Sequence, residues 1–98
     1  MEEALYEAYG PAGTAILIEV ITDNKNRSLN EIKHVLNKFE AKIGTPGSAL
    51  WAFEKKDDWE PKHLIPLDKE EDKEKLQNLI DELEDLDDVQ NVVSNAEM

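Results

Sequence analysis

Ninety-eight residues with 11 Lys and Arg against 23 Asp and Glu give a formal net charge of −12. A chain of that size makes one domain burying roughly 60–65% of its unfolded surface, which argues against a deep cleft between two lobes. The absence of cysteine excludes disulfides, iron–sulfur clusters, thiolate zinc sites and thiol nucleophiles.

In chain order, Thr14–Thr22 is dense in β-branched residues and bounded by Gly13 and Asp23-Asn24, which predicts a strand. The two-residue period places Ile16, Ile18 and Val20 on one face and Ala15, Leu17 and Ile21 on the other. Apolar residues on both faces mark a central strand or a sheet covered on its second side. Ser28-Leu-Asn-Glu31 then fits a capping box, and Leu29, Ile32, Val35, Leu36 and Phe39 recur at helical spacing as one apolar stripe. Gly44-Thr-Pro-Gly47 predicts a turn, and Ala49–Glu54 a second strand with Trp51 and Phe53 on one face.

The order then repeats. His63–Leu67 is a short strand candidate, Asp68-Lys-Glu-Glu71 a cap-like start, Leu76, Leu79, Ile80, Leu83 and Leu86 a second helical stripe, and Val89–Val93 a last strand. The sum predicts an α+β, ferredoxin-like βαββαβ sandwich, a four-stranded antiparallel sheet with two helices on one face. The chain is then a single domain with one half at about 9–56, a connection at about 57–62 and a second half at about 63–95. Pro66 conflicts with an internal third strand, because it has no N–H for the ladder. Either the strand stops before it or a bulge intervenes. Trp59, within the connection, is expected to fold back on the sheet edge or to meet another chain.

Charge is divided unevenly: residues 1–50 carry 5 basic and 7 acidic side chains, residues 51–98 carry 6 and 16. Such a chain repels phosphate overall, so any nucleic-acid contact must be local. A local basic surface exists around the first helix, where Lys25, Arg27, Lys33, His34, Lys38 and Lys42 are opposed by Glu31 and Glu40. The same pattern serves an ordinary solvated helix. His34 and His63 show no metal-ligand spacing, and Asp85-Leu-Asp-Asp88 lacks the glycine and terminal glutamate of a calcium loop. Neither Ser28 nor Ser48 has an identifiable base, and Gly10-Pro-Ala-Gly13 precedes a strand instead of following one, so no phosphate loop is read. No enzyme, cofactor, metal site or small-molecule substrate is expected. No apolar run reaches the ~18–20 residues of a membrane span, and Met1-Glu-Glu-Ala4 is not a signal peptide's start.

Tyr9-Gly-Pro-x-Gly13, Thr22-Asp-Asn-Lys-Asn-Arg27, Glu31-Ile-Lys-His34, Gly44-x-x-Gly-Ser48 and the stretch Leu79–Val92 resemble, in order and spacing, the YebC/PmpR family. The resemblance covers nearly the whole chain and well under half of a typical member. It implies the family's middle ferredoxin-like domain alone, with the usual inserted domain crossed at Lys55–Asp58 and no basic helical domain ahead of it. Glu40-Ala41 stand where the family has Gly-Gly, so the expected glycine stop of the first helix is missing. The resemblance further implies a non-enzymatic regulatory module, acting in transcription regulation by DNA binding or in translation activation on the ribosome. It implies a cytoplasmic location, or a mitochondrial one for an organellar member. The positions matching the family that can meet nucleic acid are Lys25, Asn26, Arg27, Lys33 and Lys38. The alternative is a protein-interaction or oligomerisation domain using a bare sheet face, with Leu17, Ile21, Leu50 and Trp59 docking another domain or a second copy.

Overall fold

In the computed structural model, which describes residues 1–97, the strand predicted from the Ile/Val-rich run organises everything else. The first strand, β1, is Glu2–Tyr9, and a single helical turn at Pro11–Gly13 returns the chain into β2, Ala15–Thr22. These two pair antiparallel along their full length, from Glu2 opposite Thr22 to Tyr9 opposite Ala15. Helix α1 follows at Lys25–Lys38 and a two-residue strand β3 at Lys42–Ile43. A helical turn at Leu50–Ala52 leads into the hairpin β4 (Phe53–Lys55) and β5 (Trp59–Pro61). The chain continues through β6 (Ile65–Pro66), α2 (Glu70–Glu84), β7 (Val89–Ser94) and β8 (Ala96–Glu97).

The expected layer is present: two helices over a four-stranded antiparallel sheet, in the order β3-β1-β2-β7. Two of its four places are filled by other strands than the half-repeat suggested. The internal place beside β2 belongs to β1, and the edge beyond it to the short β3. Ala49–Glu54 does not enter this sheet; it holds the helical turn and the start of β4, which pairs with β5, with Phe53 buried and Trp51 53% exposed. Of His63–Leu67 only Ile65–Pro66 is extended, and it pairs with β8 outside the main sheet. That removes the conflict over Pro66, which never enters the internal ladder. The stretch 57–62 is more than a connection, since it supplies β5.

Both helices bury their apolar stripes on the inner sheet face. Ile16, Ile18 and Val20 meet Ile32, Val35 and Leu36 of α1 and Leu76, Leu79 and Leu83 of α2 in one core. At about 25 cal/mol per Å² of apolar surface, these fully buried aliphatic side chains supply most of the driving force for folding. The outer face has a second, smaller core of Ala15, Leu17, Ala49, Ala52 and Phe53, roofed by the segment from Ala49 to Pro61. Asn95, fully buried, ties β2 to the segment that precedes β6. Its Oδ1 accepts from the Ala15 amide at 2.7 Å, and its Nδ2 donates to the His63 carbonyl at 2.9 Å.

Candidate functional site

Three of the candidate nucleic-acid residues, Lys25, Asn26 and Arg27, open α1, whereas Lys33 lies mid-helix and Lys38 is its last residue; the chemistry of the first turn differs from a capping box at Ser28. The cap is Asn24, whose side-chain oxygen accepts from the Arg27 amide at 3.1 Å. Ser28 therefore lies inside the first turn, buried, where its hydroxyl is 2.6 Å from Asp88 Oδ2 and 2.8 Å from Thr22 Oγ1. Asp88 Oδ2 also accepts from Thr22 Oγ1 at 2.9 Å and from Arg27 Nη2 at 2.7 Å. Hydrogen bonds from Ser28 first, then from Arg27 and Thr22, hold the Asp88 carboxyl down at about 2.

This network decides what Arg27 is free to do. Its guanidinium meets Asp88 at 2.7 Å, Asp23 at 3.0 Å and Glu31 at 3.7 Å. A phosphate approaching it would face three carboxylates. Lys38 is likewise engaged, with Nζ 2.7 Å from Glu82 on α2. Lys25, Asn26 and Lys33 are exposed and, among the described residues, make no side-chain ion pair or hydrogen bond. All five candidates are exposed, but two of them have carboxylate partners and three have none among the described residues.

The candidate interaction face is divided as well. Leu17 is fully buried under Ala49, Ala52 and Phe53, so it cannot dock a partner in this fold. Leu50 and Trp59 are half-buried against the same cluster, and Trp59 does fold back on the sheet. Ile21 is half-buried beyond the edge of that roof, where the outer face opens into a cavity of about 470 Å³. No α2 cap forms from Asp68: the cap position is Lys69, without a side-chain bond, while Glu70, Glu71 and Asp72 complement the positive end of the helix.

Two arrangements carried no signal in the sequence reading. Glu7, buried on the outer face, accepts from the backbone amides of Gly47, Ala49 and Leu50 at 2.5, 2.7 and 3.0 Å, fixing the loop that begins the roof. Asp88 sits in an acidic run that reads as solvated surface. Among the described residues no group of three His, Asp or Glu gathers as a metal site, and no helix is long and apolar enough to cross a membrane.

A family model described as the second and third domain of TACO1/YebC matches residues 1–58 and 56–96. The chain belongs to the TACO1/YebC family. A probable transcriptional regulatory protein of Caldanaerobacter subterraneus is 32% identical over an alignment that takes in all of this chain and 65% of that protein. A probable transcriptional regulatory protein of Desulforapulum autotrophicum is 47% identical over 74% of this chain and 27% of its own length. The chain thus spans less than two thirds of either. A crystal structure of a conserved hypothetical protein of Aquifex aeolicus superposes with a TM-score of 0.93 over 98% of this TACO1/YebC chain and 65% of that one. At 24% identity it shows the shared fold. The first alignment runs over 160 residues against 98 here, so at least 62 residues of that relative have no counterpart. The family match breaks at 56–58, which is the turn between β4 and β5, closed by the Lys56 amide on the Asp58 carbonyl at 3.0 Å.

Proposed function

We propose that this chain is a non-catalytic regulatory module of gene expression, acting in transcription regulation on DNA or in translation activation on the ribosome. The nucleic-acid contact runs along α1, at the exposed Lys25 and Asn26 of its first turn and Lys33 of its middle. The observation that carries this reading is the split among the basic residues of α1: Arg27 and Lys38 have carboxylate partners, whereas the exposed Lys25 and Lys33 have none among the described residues. Family membership and the names of the relatives support the regulatory role. Arg27 then serves as an anchor that holds the first turn of α1 against the turn that precedes β7, and not as the phosphate fork.

The electrostatics set the scale. Two lysines releasing counterions give a slope of log affinity against log salt of about −2, and a net charge of −12 works against them. Binding by this module is therefore weak and salt-sensitive. In fluorescence anisotropy with a labelled DNA duplex, and in parallel ribosome pelleting at stepped salt, the double variant Lys25→Glu, Lys33→Glu is expected to lose binding in whichever assay the native chain registers. The assay that responds assigns DNA or ribosome. Binding that survives both charge reversals in both assays overturns the reading.

A further inference from the structure

The outer face of the sheet is a checkerboard. Glu3 lies opposite Ile21 and Leu5 opposite Glu19 across β1 and β2, and the roof that covers Leu17 reaches Leu5 but leaves Ile21 and Glu19 only half-buried. The resulting cavity of about 470 Å³ is lined by Leu5, Ile21, Glu3 and Glu19 of the sheet, by Gln90 of β7, and by Trp59 and Lys55 of the hairpin.

Glu19 is the telling group. It is half-buried, it accepts one amide hydrogen bond from Asn91 at 3.0 Å, and among the described residues it has no cationic partner. A carboxylate partly removed from water without a counter-ion leaves electrostatic attraction unused. Facing the same space is the Trp59 ring, and the chain's own Lys55 ammonium already lies 5.5 Å from that ring's centre. The geometry is that of a cation held over an aromatic face, with carboxylates to complete its shell.

We infer that this notch binds an arginine side chain from a basic segment of a partner protein, its guanidinium stacked on Trp59 and hydrogen-bonded to Glu19 and Glu3, with Lys55 as the internal competitor. Arginine fits better than lysine because its planar fork can stack and meet a carboxylate at once. The net charge of −12 raises the local concentration of basic partners. The site is on the opposite side of the sheet from the helices, so it stands independently of any nucleic-acid contact at α1.

The test is a titration of the ¹⁵N-labelled full chain with acetyl-Gly-Arg-Gly-amide, with its citrulline counterpart and with methylguanidinium. Saturable shifts are expected at Leu5, Ile21 and the Trp59 indole. The citrulline peptide, equal in shape but uncharged, is expected to bind at least about tenfold more weakly. Glu19→Gln is expected to weaken the arginine peptide and Lys55→Gln to strengthen it, while Lys69→Gln, far from the notch in sequence and fold, leaves it unchanged. Equal binding of the citrulline peptide, an unaffected E19Q chain, or shifts confined to the acidic surface of α2 would each overturn the inference. Methylguanidinium binding as tightly as the peptide would also overturn it, by assigning the notch to free small cations.

Discussion

Ile16, Ile18 and Val20 face two amphipathic helices, whereas Leu17, Glu19 and Ile21, one residue out of step on the same strand, face a hairpin that covers only the first of them. One strand therefore borders a closed core on one side and a half-closed one on the other. The closed side is built from branched aliphatic side chains drawn from five elements. The half-closed side relies on alanines, one Phe and the Glu7 carboxylate that holds the loop in place. Burial on the first side makes the fold; incomplete burial on the second leaves a carboxylate and an indole available for recognition.

That contrast is broken most directly by truncating one leucine on each side. Leu79 and Leu17 are both fully buried. Leu79→Ala is expected to cost about 2–5 kcal/mol by urea denaturation, and Leu17→Ala to fall near the low end of the same range, because a hairpin roof can settle onto the void more readily than two packed helices. A Leu17 cost equal to or above that of Leu79 would make the outer core the organising one.

A second probe concerns the polar tie at the end of the inner layer. Asp88, where α2 has given way to β7, binds the first turn of α1 through Ser28 and Arg27. Its carboxyl is held at about 2 from an ordinary 3.8, so the folded state favours the ionised form. The stabilisation is then fully present above about pH 4 and is lost as the pH falls through about 2. Thermal melts across that window are expected to show a stability loss in the native chain that is visibly shallower in Asp88→Asn. Identical pH profiles would mean that other carboxylates govern the acid limb.

How much of this was readable beforehand follows from which forces leave a periodic trace. β2 and the two helices were legible because their apolar spacing is regular and extends over many residues. β1 was not: Glu and Ala, five of its eight residues, are depleted in strands, and its inner-face pattern of Ala4, Tyr6 and Ala8 only has meaning once β2 is beside it. Ala49–Glu54 read as a strand because its apolar residues serve the outer core, yet a helical turn places them there equally well. The candidate basic residues were legible as a group, but their partners were not. Asp88 lies 61 positions from Arg27, and Glu82 lies 44 from Lys38, so only the packing of α1 beside α2 and β7 reveals which cations are already neutralised.

The smallest expected effect comes from the end of α1, where the inner layer tolerates a residue that the backbone disfavours. Glu40 has φ of 60°, in the left-handed region. The Ala41 amide donates to the Leu36 carbonyl at 2.8 Å and the Glu40 amide to Asn37 at 3.1 Å, the double bond of a Schellman ending usually built on glycine. A side chain in that conformation costs about 1–2 kcal/mol. Glu40→Gly relieves that strain, but returns up to ~1 kcal/mol through the added freedom of the unfolded chain. It also removes the exposed ion pair between Glu40 and Lys75 at 3.1 Å, a contact of a kind worth about 0–1 kcal/mol. The balance is a net gain of about 0.5 kcal/mol, read as a small rise in the urea midpoint at unchanged slope. A fall in the midpoint would show that Lys75, reaching across from α2, matters more to the helix layer than the backbone strain it accompanies.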